Sequence, residues 1–88
     1  MYIPNMKKDE MIEEIMDLQN RATKLNWDDY VKYADELYEA EVKAGMVSKL
    51  GHVKYLRYCN KTQLGDMLDT MMSLSIKYNY RNKLNNIF

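Results

Sequence analysis

Turn-forming residues are scarce in this chain, which has three glycines and one proline in 88 residues. That is too little turn chemistry for a many-stranded sheet. A single cysteine, Cys59, excludes an internal disulfide framework and fits a reducing compartment. One histidine and one cysteine cannot supply a zinc cluster. The N-terminus has no apolar stretch of signal-peptide length, and no run approaches the roughly 20 apolar residues of a membrane span. These absences point to a cytoplasmic, helical, non-membrane protein.

With 47% apolar and 30% charged residues, the composition is that of a globular domain. At this length we expect one domain spanning 1–88. A chain so short buries roughly 60–65% of its unfolded surface, which makes oligomerisation a natural source of extra buried area.

The net charge is zero but unevenly spread. Residues 1–41 carry eleven acids and five bases, a net of −6, and residues 42–88 carry two acids and eight bases, a net of +6. No acid falls between Val42 and Gly65. Overall neutrality argues against duplex DNA as the partner, because that affinity comes mainly from neutralising phosphates. The local basic segment suits a small anion. Alternatively, the two halves neutralise each other within or between protomers.

Hydrophobic spacing predicts three main helices packed as a small antiparallel all-α bundle, with a short connecting helix. The first starts after Asn5 as N-cap and carries Met11, Ile15, Leu18, Ala22 and Leu25 on one face. Asn26, with Asp29 three residues on, opens the second, and Leu25 with Tyr30 has hydrophobic-staple spacing. Its expected core stripe is Trp27, Tyr30, Val31, Ala34, Leu37, Tyr38 and Val42, with Gly45 as C-terminal cap. Residues 46–58 read as a short helix or a kinked continuation, on the spacing of Met46, Leu50, Val53 and Arg57. Asn60 and Gln63 open the last helix, which buries Leu64, Met67, Leu68, Met71, Leu74, Ser75 and Tyr78. Met67, Met71 and Met72 read as core or oligomer-contact residues. The tail from Asn79 is polar apart from Tyr80, Leu84, Ile87 and Phe88, and is expected to be either loose or docked on a neighbour.

Catalytic signals are missing. His52 and Cys59 would lie about 10 Å apart on a continuous helix, beyond hydrogen-bond reach. The crowded carboxylates Glu10, Glu13, Glu14 and Asp17 lack the Glu-x-x-His motifs of di-metal bundles and read as a solvated face. No phosphate-binding glycine loop occurs. The expectation is a protein with no catalytic group, no metal site and no cofactor.

What is present is a run of cations interleaved with aromatics: Lys49, His52, Lys54, Tyr55, Arg57, Tyr58, Lys61 and Thr62. Lys and Arg supply charge-assisted donors for phosphates, and aromatic rings stack on nucleobases. The run leads into the N-terminus opened by Asn60, where free N–H groups favour anions. A solvated basic face with amphipathic tyrosines is the alternative reading.

Tyr55-Leu56, then Lys61-Thr62-Gln63-Leu64 with Leu68 and Met71, resembles the anti-CBASS nucleotide sponges, a family of small phage proteins. The likeness covers about a fifth of the chain. Family members carry a Trp-Leu and then a Thr-x-Leu opening an apolar C-terminal helix. Gly65-Asp66 stands where they have a glutamine-rich turn, and Ser73 where they have an arginine. Tyr2 ahead of Asp9-Glu10 is similar to the family's N-terminal tyrosine. The many Asn, Lys and Tyr residues, with AT-rich codons, agree with a phage genome.

The resemblance implies a homo-oligomer, of hexamer size, that sequesters cyclic di- or trinucleotides without cleaving them. Lys54, Arg57 and Lys61 would hold phosphates, Tyr2, Tyr55 or Tyr58 would stack on bases, and Thr62 would assist at the helix start. The competing expectation is a phage inhibitor of a host enzyme, acting through the acidic face of residues 9–41.

Overall fold

The computed structural model describes residues 6–80. Three helices, α1 (Lys8–Ala22), α2 (Trp27–Lys43) and α3 (Lys61–Lys77), are joined by a four-residue turn and a longer connection containing a single 3-10 turn, Leu56–Tyr58. The fold class is all-α. α3 lies at the centre and packs on both α1 and α2, which meet each other little. The resulting body measures 36 × 31 × 18 Å, so it is two helices deep in its thin direction. Among the described residues no helix is long and apolar enough to cross a membrane.

Local caps set the helix limits. Lys7 is the N-cap of α1, and its backbone N–H donates to the Glu10 carboxylate at 2.8 Å. The expected cap Asn5 lies outside the described residues. At α2, Asn26 accepts from the Asp29 N–H at 2.9 Å. α3 opens on a reciprocal box in which Gln63 N–H donates to Asn60 Oδ1 at 2.8 Å and Asn60 N–H to Gln63 Oε1 at 3.0 Å.

Two helices end in the same motif. Gly45, at φ 76°, lets the N–H of Met46 reach the Glu41 carbonyl and its own N–H reach Val42. Asn79, at φ 57°, does the same for Tyr80 onto Ser75. Each reversal turns the following side chain inward, so Met46 and Tyr80 are both fully buried. Tyr80 hydroxyl donates to the Met71 carbonyl at 3.3 Å, and its ring meets Tyr33 edge-on at 5.4 Å. Tyr80 thus belongs to the core rather than to a tail, and residues 81–88 lie outside the described ones.

The core consists of Met11, Ile15, Leu18 and Ala22 from α1 and Leu64, Met67, Leu68, Met71, Leu74 and Ser75 from α3, as their spacing predicts. α2 departs from expectation. Its buried face is Tyr33, Leu37 and Glu41, with Tyr30 half-buried. Trp27, Val31, Ala34, Tyr38 and Val42, expected in the core, are exposed, Trp27 at 75%. The reason is geometric. At about 100° per residue, apolar side chains cover roughly half the circumference of α2, wider than a single neighbour can hide. α3 takes one edge of that arc and leaves the other as an apolar ridge.

Residues 46–58 form no α-helix. Val47 and Val53 make an antiparallel bridge, Lys54 N–H donates to the Met46 carbonyl at 2.8 Å, and Ser48 N–H to that of His52 at 2.9 Å. Gly51, at φ 84°, closes the tight loop beneath the Tyr38 hydroxyl. Two glycines in the left-handed region and paired β-branched valines favour this hairpin over a helix carrying few apolar contacts. The expected short connecting helix is confined to the 3-10 turn.

Gln63 spans the connection. Its Nε2 donates to the carbonyls of Ala44 at 3.1 Å and Gly45 at 3.3 Å while its Oε1 caps α3. One side chain therefore joins the end of α2 to the start of α3. Replacing Gln63 with Ala should cost about 1–2 kcal/mol through lost caps. Urea titration followed by circular dichroism measures this, and an unchanged midpoint would refute the bridging role.

Candidate ligand-binding face

The 3-10 turn aims its rings outward because its backbone is anchored from beneath. Cys59 is fully buried, and its thiol donates to the Tyr55 carbonyl at 3.5 Å. Burial raises the Cys59 pKa above its ordinary value, with Lys54 and Lys8 opposing weakly. That keeps the group a protonated anchor. Lys8 from α1 donates to the Arg57 carbonyl at 2.8 Å. With the backbone held on both sides, Tyr55 and Tyr58 project into solvent, 77% and 66% exposed, with ring centres 6.2 Å apart.

These rings form a wall between two open grooves. The larger, of about 980 Å³, runs between the turn and α1 and is lined by Asp9, Ile12, Glu13 and Met16 opposite Arg57. The smaller, of about 450 Å³, runs along the hairpin and includes Ser48, His52, Val53 and Lys54. Both volumes fall within the roughly 300–1,000 Å³ common for small-ligand sites. Their electrostatics differ. Among the described residues the larger groove sets two carboxylates, Asp9 and Glu13, against one guanidinium, Arg57, which disfavours a polyanion. The smaller has Lys54 and His52 and, among the described residues, no carboxylate in its lining, so phosphate is better accommodated there.

The residues expected to form one site are therefore divided. Lys54, Tyr55 and Tyr58 share the hairpin groove, while Arg57 joins the same two tyrosines on the α1 side. Lys61 and Thr62 are exposed on the first turn of α3 and line neither groove. The Gln63 N–H is already taken by Asn60, so that helix start offers fewer free donors than expected. Tyr2 lies outside the described residues. Sequence reasoning missed the α1 wall of Ile12 and Met16. Their place beside the α1 stripe was visible, but nothing local showed that the 3-10 turn would stand opposite.

The acidic face is also partly engaged. Glu36 accepts from Lys77 at 2.9 Å and from the Tyr78 hydroxyl, tying α2 to the end of α3. The Tyr78 hydrogen bond, followed by Lys77, holds the Glu36 carboxyl below its ordinary pKa. Asp17 pairs with Arg21 at 2.8 Å. Glu13, Glu14, Asp28, Asp35 and Glu39 remain on the exterior, the first of them beside the larger groove. Among the described residues no three His, Cys, Asp or Glu side chains converge where a metal ion could sit.

A third groove, of about 490 Å³, separates α1 from α2 and has Glu41 in its lining. Glu41 is 8% exposed, and its carboxylate has no hydrogen-bond or ion-pair partner among the described residues. Desolvation alone raises its pKa. Compared with protein-family models, curated proteins and solved structures, the chain matches none of them.

A raised carboxyl pKa means that the folded state holds its proton to higher pH than the unfolded state. Glu41 therefore lowers stability as pH rises from the ordinary glutamate range through its folded value, and has no such effect below that range. Glu41→Gln should raise the melting temperature at neutral pH, with the gain vanishing in acid. Thermal melts of both proteins across that range test the sign, and a lower melting temperature for the variant at pH 7 would contradict it.

Proposed function

We propose that this chain is a non-catalytic phage counter-defence protein that captures a cyclic oligonucleotide second messenger in the host cytoplasm and withholds it from its receptor. The observation carrying this reading is the pair of outward tyrosines with Lys54 and His52 on one side and Arg57 on the other. Base stacking on either ring contributes about 1–3 kcal/mol, and the hairpin groove provides cations for phosphates. Lys61 and Thr62 take part from the edge, and Tyr2 is the third candidate ring. No cofactor enters this scheme.

A body two helices thick offers open grooves rather than an enclosed cavity, so full enclosure of a cyclic nucleotide calls for a second copy. The apolar ridge of α2 suits such assembly. Trp27, Val31, Ala34 and Tyr38 recur at steps of four, three and four, the spacing of a helix-pairing seam, and they are exposed. Sealing this ridge against its equivalent would give a two-fold dimer, and a homo-oligomer up to a hexamer would add a second contact between such dimers.

Isothermal titration with cyclic di-AMP and cyclic di-GMP tests the reading. We expect binding that Tyr58→Ala and Lys54→Ala each weaken by about tenfold. Absence of heat with either nucleotide at high micromolar concentration would remove the proposal.

The second reading is inhibition of a host protein through the acidic face, favoured by the exposed carboxylates Glu13, Glu14, Asp28, Asp35 and Glu39. A pull-down from host lysate with Glu13→Lys and Glu14→Lys separates the two. Loss of a captured enzyme in these variants, with Lys54→Ala unaffected, would favour inhibition over sequestration.

A further inference from the structure

A buried carboxylate with no partner is costly, and a helix under no other constraint would place leucine or alanine there. Glu41 comes close to such a position: the residue is 8% exposed and has no hydrogen-bond or ion-pair partner among the described residues. It is flanked on α2 by the buried Leu37 and the apolar Ala34, while its carboxylate oxygens keep contact with the open groove. The groove it lines mixes aromatic and polar groups. Tyr30, Tyr33 and Tyr38 contribute ring surface from α2, and Gln19, Asn20 and Thr23 contribute polar groups from α1. Among the described residues no lysine, arginine or histidine lines it.

We propose that the α1–α2 groove is a binding site for an organic cation, an alkylammonium or guanidinium group, with Glu41 as its counter-charge and the tyrosine rings as its walls. A cation against desolvated aromatic faces gains from their quadrupoles, and a buried carboxylate supplies the stronger, directional contact. The volume of about 490 Å³ admits a polyamine segment or an arginine side chain. The site is separate from the Tyr55–Tyr58 face and does not rest on nucleotide binding. Because Ala34 and Tyr38 belong to both the groove and the exposed ridge of α2, an arginine from a second copy is one source of the cation, and a free polyamine is the other.

The two sources share a chemistry and separate by probe. Full-length protein would be titrated with spermidine and, separately, with N-acetyl-arginine amide, following tyrosine ring resonances by NMR. We expect at least one probe to bind and Glu41→Gln, nearly isosteric and predicted to remain folded, to weaken it about tenfold or more. Tyr38→Ala, which leaves the carboxylate in place, should weaken it about threefold. Binding of spermidine alone assigns the site to free polyamines, and binding of the arginine amide assigns it to a protein side chain. If neither probe shifts the tyrosine resonances, or Glu41→Gln binds as tightly as the parent, the proposal is wrong.

Discussion

The connection between α2 and α3 depends on a single amide. Gln63 caps its own helix with one end and holds the Ala44 and Gly45 carbonyls with the other. Everything between those anchors is hairpin and 3-10 turn with few buried side chains, chiefly Met46 and Cys59. A segment with so little core of its own keeps its shape because both ends are fixed and its middle is pinned by Cys59 and Lys8. The outward tyrosines and nearby cations of the candidate face are displayed on that clamped loop.

Charge determines how this face can be used. Front-half acids and back-half bases meet at the larger groove, where Asp9 and Glu13 confront Arg57, so the more spacious of these two openings is the less suited to phosphate. The hairpin groove, although smaller, keeps its cations clear of carboxylates. Size and electrostatic fit thus point to different grooves. For a polyanion electrostatic fit decides, because an uncompensated carboxylate at close range opposes each phosphate contact.

α2 carries the remaining functional potential. Its wide apolar arc is split by the position of α3 into a buried strip, an exposed ridge and, at their border, Glu41. An aromatic series from Trp27 through Tyr30 and Tyr33 to Tyr80 passes from the ridge into the core. The proposed assembly along the ridge and the proposed cation capture in the groove would therefore involve the same helix.

The starts of α2 and α3 and the cores of α1 and α3 were legible in the linear order of residues, whereas α1 is capped by Lys7 rather than the expected Asn5. Asn26, Asn60 and Gln63 act through hydrogen bonds to groups three residues away, and the stripes of Met11 to Ala22 and Leu64 to Ser75 are narrow enough to have one inward face. The cations and rings of the candidate face were legible as residue types, but their division between two grooves was not. Tertiary structure alone decided which edge of α2 is buried, that Tyr80 turns inward, that residues 46–54 pair as a hairpin, and that Glu41 has no partner among the described residues. The physical reason is the range of the interactions. A cap is completed within one turn of chain, whereas the covered side of a broadly apolar helix depends on where a distant neighbour lies.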